Sequence, residues 1–295
     1  MDCTKKVFKS ISEVKPKRLY ISCDGPRKNI NGESIKVQEI RKFLLDNVDW
    51  DCELKTSFKD ENLGCGRNVK ESIDWFFSFE ESGIIIEDDC LPTEQFYLFS
   101  QELLRRYRDD DRVGMICGVN HFVDYYQCEQ SYLFSRYKSC WGWASWRRAW
   151  KHMDFEMSWL ASSEKEAIIS NMGYSNVSKI HWKNAIRKIM NQEVDTWDWQ
   201  WYFSMAVRNQ LAVFPEKNLV SNIGFGPNAT NSSLYSKKRF THTERIDFPL
   251  LHPKRIEPNI QFEKVFERKK LRLQILKDLV PTKLKKRLKN VRKAH

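Results

Sequence analysis

The sequence predicts an α/β fold built on a mostly parallel sheet flanked by helices. Three observations carry this. Short apolar runs that suit buried strands alternate with longer segments of helical period. Asp24, Asp88, Asp89 and Asn120 all fall at the carboxyl ends of predicted strands, the edge at which open α/β sheets bind ligands. The chain has 295 residues, 41% of them hydrophobic, which is enough for a large core.

The elements follow in order. "TKKVFKSISEV" predicts a helix over 4–14, with Val7, Phe8, Ile11 and Val14 on its inner face. Pro16 breaks it, a strand follows at about 18–23, and Asp24-Gly25-Pro26 makes a turn. Residues 33–48 space Ile35, Ile40, Phe43, Leu44 and Val48 on one helical face. "CELKTSF" predicts a strand over 52–58, and "LGCGRN" a glycine-rich turn into a helix over about 67–81. "GIIIEDD" is a strand running straight into three carboxylates. Thr93 caps a helix over 94–108 with Glu94 in its first turn, and 113–119 is a strand. Beyond 120 the pattern loosens into an aromatic, basic stretch, "YLFSRYKSCWGWASWRRAW". Helices are expected over 178–191 and from "DTWDWQW" onward, with Trp199, Phe203 and Val207 sharing a face. "LAVFP" is a last strand, and a further helix runs from about 260 to a break at Pro281.

The net charge of +11 is uneven. From Phe262 to His295 there are thirteen Lys or Arg against three Asp or Glu, so the body is close to neutral. A near-neutral body argues against a nucleic-acid binder. The tail places Leu271, Ile275, Leu276 and Leu279 on one face among cations, which suits a helix lying on an anionic membrane surface. The alternative is a solvated tail with one packed helix. No apolar run approaches the roughly 20 residues needed to cross a bilayer, and no signal peptide is visible. The eight cysteines show no CxxC and no zinc spacing, so reduced thiols in a cytosolic protein are expected. The sequons at Asn176, Asn228 and Asn231 are then chance matches.

Adjacent carboxylates at a strand end repel one another unless a cation sits among them. Asp89, with Asp88, suits a hard divalent ion that also holds substrate phosphates, while Glu87 points back to the scaffold. The competing reading is a solvated acidic turn. Asp24 on its tight turn can accept a base imide N–H, or it is an ordinary Asp-Gly turn. Arg67 and Asn68, at a helix start after two glycines, are placed to meet a phosphate or base. Asp198 sits among Trp197, Trp199 and Trp201, an apolar setting that raises a carboxylate's pKa and improves it as a base. Helix capping beside core tryptophans is the other reading. His121 and the tryptophans Trp141, Trp143 and Trp197 are candidates for an acceptor side, since aromatic faces stack on sugar rings. For a lone histidine a structural role is the alternative.

Six segments in one order carry a resemblance: "LYISCDGPR", "LGCGRNVKESIDWFF", "SGIIIEDDCLP" with its following helix and strand, "CWGWASWRRAW", "TWDWQW" and "VSNIGFGPNAT". Together they resemble the nucleotide-diphospho-sugar glycosyltransferases of the Rossmann-like GT-A fold. The nearest group is the bacterial one related to N-acetylglucosaminyltransferase I, the hemolysin-like proteins. The resemblance covers roughly residues 4–235. It implies a glycosyltransferase domain over 1–258 and a basic helical tail over 259–295. It implies that Asp89 ligates Mn2+ or Mg2+ bridging the diphosphate of a UDP-sugar, and that Asp24, Arg67, Asn68, Glu87 and Asp88 lie on the donor side. Asp198 would deprotonate a hydroxyl of a glycan or lipid-linked acceptor, with inversion at the sugar. The place implied is the cytoplasmic face of the cell membrane, in polysaccharide biosynthesis.

Two departures stand out. The family begins with a strand ending near an "NRP"-type turn, whereas this sequence opens at the first helix. Asn68 and Asn231 fall where histidines are expected. Two other functions compete. A sugar nucleotidyltransferase would show a glycine-rich triphosphate loop with Lys or Arg, and none is visible. An inactive relative that binds a partner would not need the EDD and Asp198 that this chain retains.

Overall fold

A computed structural model describes residues 1–224, 242–272, 274 and 275. It is a mixed α/β protein whose centre is a five-stranded sheet. The first helix α1 (Asp2–Val14) leads to β1 (Arg18–Cys23), α2 (Glu33–Asp46), β2 (Glu53–Phe58), α3 (Cys65–Phe79) and β3 (Ser82–Ile85). Then come β4 (Cys90–Pro92), α4 (Glu94–Arg106), β5 (Val113–Cys117), β6 (Tyr132–Ser135), β7 (Trp143–Trp146) and α5 (Arg147–Trp150). Helices α6 (Lys165–Ser170), α7 (Asn176–Met190) and α8 (Asp198–Val207) precede β8 (Leu211–Pro215) and β9 (Val220–Asn222). Last is α9 (Ile260–Phe266), continued by a π-helical turn over Glu267–Leu271.

The central sheet has the order β3-β7-β5-β8-β6. Only β5–β8 is parallel; β3–β7, β5–β7 and β6–β8 are antiparallel. The expectation of a mostly parallel sheet is therefore corrected to a mixed one. The reason is β7, a Trp-rich segment that inserts between β3 and β5 and runs against both. Neither β6 nor β7 was foreseen, because "YLFS" and "WASW" lack the bounded period-2 signal of a strand. β1 and β2 form a separate parallel pair, and β4 pairs with β9.

Side chains alternate across the central sheet, as strand geometry requires. Met115, Cys117, Leu133, Trp143, Ala212 and Phe214 face one core, with α3 and α5 to α9 packed over it. Ile116, Tyr132, Phe134, Ala144, Trp146 and Val213 face the other, under α4. The sheet is thus sandwiched between helical layers. A smaller cluster of Phe8, Ile21 and Leu44 supports β1 and β2, with Ile40, Phe43 and Val48 against it. Ile35 does not join that face; it is 62% exposed in the first turn of α2. Val207 likewise turns outward at the end of α8, whereas Phe203 is buried.

The boundary expected at 258/259 is also corrected. Phe262, Phe266 and Leu271 are buried in the main core. Glu263, fully buried, accepts hydrogen bonds from Ser135 Oγ (3.1 Å), Arg136 N (2.7 Å) and the Arg136 guanidinium. Glu267 accepts from Tyr137 Oη (2.6 Å), Tyr174 N (3.1 Å) and Ser175 N (2.9 Å). Residues 260–271 are part of the body. The rest of the basic tail, from 276, lies outside the described residues, as do Asn228 and Asn231. Among the described residues no helix is long and apolar enough to cross a membrane.

Candidate functional site

Strands β3, β5 and β8 run in one direction, so their carboxyl ends share an edge. β3 is followed, after Ile86, by Glu87, Asp88 and Asp89. β7 runs the other way, and its first residue, Trp143, pairs with Ile85 and Cys117. Cys140 and Trp141, which lead into β7, therefore arrive at the same edge. Antiparallel insertion in this way brings a second chain segment to the ends of the parallel strands.

Glu87, Asp89 and Cys90 place ligand atoms within 4.8 Å of one another. Burial, and then the charges of Asp89, Asp198 and Asp88, push the Glu87 carboxyl up to about 8. At neutral pH it holds a proton unless a cation enters. Asp89 is set by backbone: Ile223 N donates to its carbonyl (2.8 Å), and the Cys90 thiol donates to Oδ1 (3.3 Å). A Cβ at Gly224 would lie 2.3 Å from Asp89 Oδ2, so only glycine leaves that carboxylate its place. Carboxylate oxygens crowded this closely at a sheet edge fit a divalent cation. Burial and the nearby carboxylates hold the Cys90 thiol in its protonated form, so the carboxylate oxygens are the donors suited to a hard cation. Asp88 is exposed and accepts from Thr4 Oγ1 of α1 (3.4 Å), while its charge adds to the rise in the Glu87 pKa.

Asp198 opens α8 and is half-buried. Burial raises its pKa, opposed by a short hydrogen bond from Thr196 Oγ1 to Oδ1. The Cys140 thiol donates to Oδ2 at 3.8 Å. Asp198 also raises the pKa of Glu87, so the two carboxylates share one electrostatic environment. Lys270, on the π-turn, lowers the Asp198 pKa and lies 5.0 Å over the Phe266 ring. Sequence reasoning missed Lys270, because nothing local to "RKKLR" points at a residue seventy positions away.

Several expectations move. Asp24 does reach this side, but its carboxylate is filled by protein donors. Oδ1 accepts from Gly25 N (2.8 Å) and Leu63 N (2.9 Å), and Oδ2 from Asn62 Nδ2 (2.8 Å) and Gly64 N (3.1 Å). Four accepted bonds use a carboxylate's capacity, so Asp24 holds the 62–64 loop rather than facing a base. Arg67 is bound to Glu71 one helical turn on (2.8 Å), on the exposed side of α3. Asn68 is half-buried, and its Oδ1 receives no hydrogen bond among the described residues.

Trp143 and Trp197 are core residues, 0% and 2% exposed, stacked 5.7 Å apart and packed with Trp150 and Trp201. Neither presents a face to an acceptor. Trp141 and His121 remain at the edge, half-buried, with rings 5.1 Å apart. Asn120 is buried and structural, accepting from Phe122 N and donating to Pro215 O. All eight cysteines are free thiols. Clefts of about 440 and 540 Å3 exist elsewhere, and neither is lined by these residues.

Comparison with protein-family models gives no match, and comparison with curated proteins gives none.

Proposed function

We propose that this chain is a metal-dependent, inverting glycosyltransferase of the GT-A type. It would move a hexosyl or N-acetylhexosaminyl group from a UDP-sugar to a glycan or lipid-linked acceptor. One observation supports this above the others: the Glu87, Asp89 and Cys90 group at a sheet edge, with Asp198 close enough to raise the Glu87 pKa. A cation site beside a half-buried carboxylate base is the pairing that sugar transfer needs.

Asp89 and Glu87 would hold Mn2+ or Mg2+, and the cation, when bound, supplies positive charge against a leaving diphosphate. Asp198 would accept the proton of an acceptor hydroxyl; its raised pKa makes it a stronger base than an exposed aspartate. The acceptor oxygen forms a bond to the anomeric carbon as the bond to the diphosphate oxygen breaks. The electron pair leaves with the nucleotide, and one displacement inverts the centre. Thr196 and Cys140 each donate to one oxygen of the Asp198 carboxylate and would fix its rotamer. Trp141 and His121, the aromatic groups left at the edge, would bound the acceptor. The basic tail would place the enzyme at the inner face of a cell membrane.

Thermal melting with UDP, GDP, CDP or ADP, each with Mn2+ or with EDTA, tests the reading. A ligand at a hundred times its Kd stabilises the fold by about 2.7 kcal/mol. The expected result is a rise with UDP that needs Mn2+ and is lost in Asp89→Ala. No rise with any nucleotide would overturn it.

A further inference from the structure

Asp195 lies in the segment between α7 and α8, three residues before Asp198. Its carboxylate reaches the start of α3, where Oδ2 accepts from Cys65 N (2.8 Å) and Oδ1 from Gly66 N (2.9 Å). The two preceding amides, Leu63 and Gly64, donate to Asp24. Four successive amides therefore end on two carboxylates, one from the end of β1 and one from the approach to α8. The first amides of a helix have no partner within it, and negative charge is favoured there.

The glycines of "LGCG" are explained by this contact. A Cβ at Gly64 would sit 2.7 Å from Asp195 Oδ2, and Gly64 has φ +83°. A Cβ at Gly66 would sit 2.5 Å from Asp195 Oδ1 and 2.8 Å from the Thr196 carbonyl oxygen. Side chains at either position would push the segment away. The residues after Asp195 are equally constrained. Thr196 donates to Asp198, Trp197 is stacked in the core, and Trp201 N donates to Trp197 O (3.0 Å). The Cys65 thiol on this turn has its pKa pushed up to about 11, by desolvation first and then by the charges of Glu87, Asp195, Asp198 and Asp24.

We infer that Asp195 is a positioning residue: its clamp on the Cys65 and Gly66 amides sets where Asp198 stands relative to the Glu87–Asp89 group. This rests on the proposed function, in which Asp198 is the base. The clamp ties the turn that starts α3, on the donor side, to the segment that delivers the base. Asp195 touches no reacting atom. It acts by fixing the three-residue link to Asp198.

The test uses the full chain with Asp195→Ala, Asp195→Asn, Gly66→Ala and the Asp195→Ala/Gly66→Ala double variant. Hydrogen exchange is read over 63–68 and 194–200. Turnover is read with UDP-glucose and UDP-N-acetylglucosamine, as kcat, donor KM and pH profile. Asp195→Ala is expected to speed exchange in both segments, lower kcat at least tenfold and leave donor KM within about threefold. Asp195→Asn, which keeps one acceptor, recovers part of kcat. Gly66→Ala reproduces the loss, and the double variant adds little to either change, since both break one contact. A lowered melting temperature with unchanged kcat and pH profile would overturn the inference, leaving a helix cap and no more. If the wild type turns over neither donor, the functional reading fails separately and exchange decides the clamp. Matched acceleration in both segments upholds it; acceleration confined to 63–68 overturns it.

Discussion

Replacing Glu263 by alanine should loosen the C-terminal helix and destabilise the whole body. The glutamate is fully buried and is the counter-charge for Arg136, whose side chain is 25% exposed, and for the buried Lys138. It also accepts from Ser135 Oγ and Arg136 N. Removing one partner of a buried pair leaves an uncompensated charge, at a cost of about 3–5 kcal/mol. Unfolding entropy near 2.1 cal/mol/K per residue gives about 0.6 kcal/mol/K for a chain of 295 residues. The melting temperature should therefore fall by about 5–8 °C. Glu263→Gln, which keeps one acceptor and loses the charge, should fall by less. Circular dichroism or calorimetry reads the shift. A change within about 1 °C for Glu263→Ala would refute the reasoning and return residues 259–271 to the status of a detachable tail.

Two further outcomes are expected. Lys138 is 4% exposed, donates no hydrogen bond among the described residues, and has its pKa lowered to about 7, chiefly by burial. The unfolded chain then binds more protons than the folded one between pH 7 and 10.5, so stability should rise with pH across that window. Lys138→Met should flatten that rise and stabilise the protein at pH 7, with a ceiling of about 5 kcal/mol; an unchanged slope in denaturant titrations at pH 7, 8.5 and 10 would contradict this. Asp24→Asn turns an NH2 donor toward groups that themselves donate, among them the Leu63 and Gly64 amides, and should cost about 1–3 kcal/mol, with faster amide exchange at 62–66. Weaker nucleotide binding with an unchanged melting temperature would instead assign Asp24 to the base.

Much of the local structure was legible because it depends on neighbours in sequence. The run of β1 was read correctly at Arg18–Cys23, and α4 and β8 within two residues, because hydrophobic period and turn residues are local signals. That Asp24 and Asp89 come to the strand-end side was foreseeable in outline, since strand carboxyl ends share an edge in such sheets; the approach of Asp198, which opens a helix, was not, and neither was the grouping of Glu87 with Asp89. The same rule misled at Asp24. It brings a carboxylate to the edge but does not say what fills it, and here loop amides 39 and 40 residues away do so.

What the tertiary structure decided is whatever rests on distant partners. The order β3-β7-β5 and the antiparallel run of β7 come from a segment whose strand character lies in its burial, not in its pattern. Trp143 and Trp197 are aromatic in either reading, and only packing shows them to be core. Glu263 and Glu267 look like helix-surface charges until Arg136, Tyr137 and Ser175 close on them. The Asp195 clamp spans about 130 residues. Sequence by itself determined most of the local elements and the acidic run that follows β3. Folding determined which of those side chains are already satisfied by the protein and which are left for a ligand, because hydrogen-bond capacity is used up by whatever the chain brings alongside.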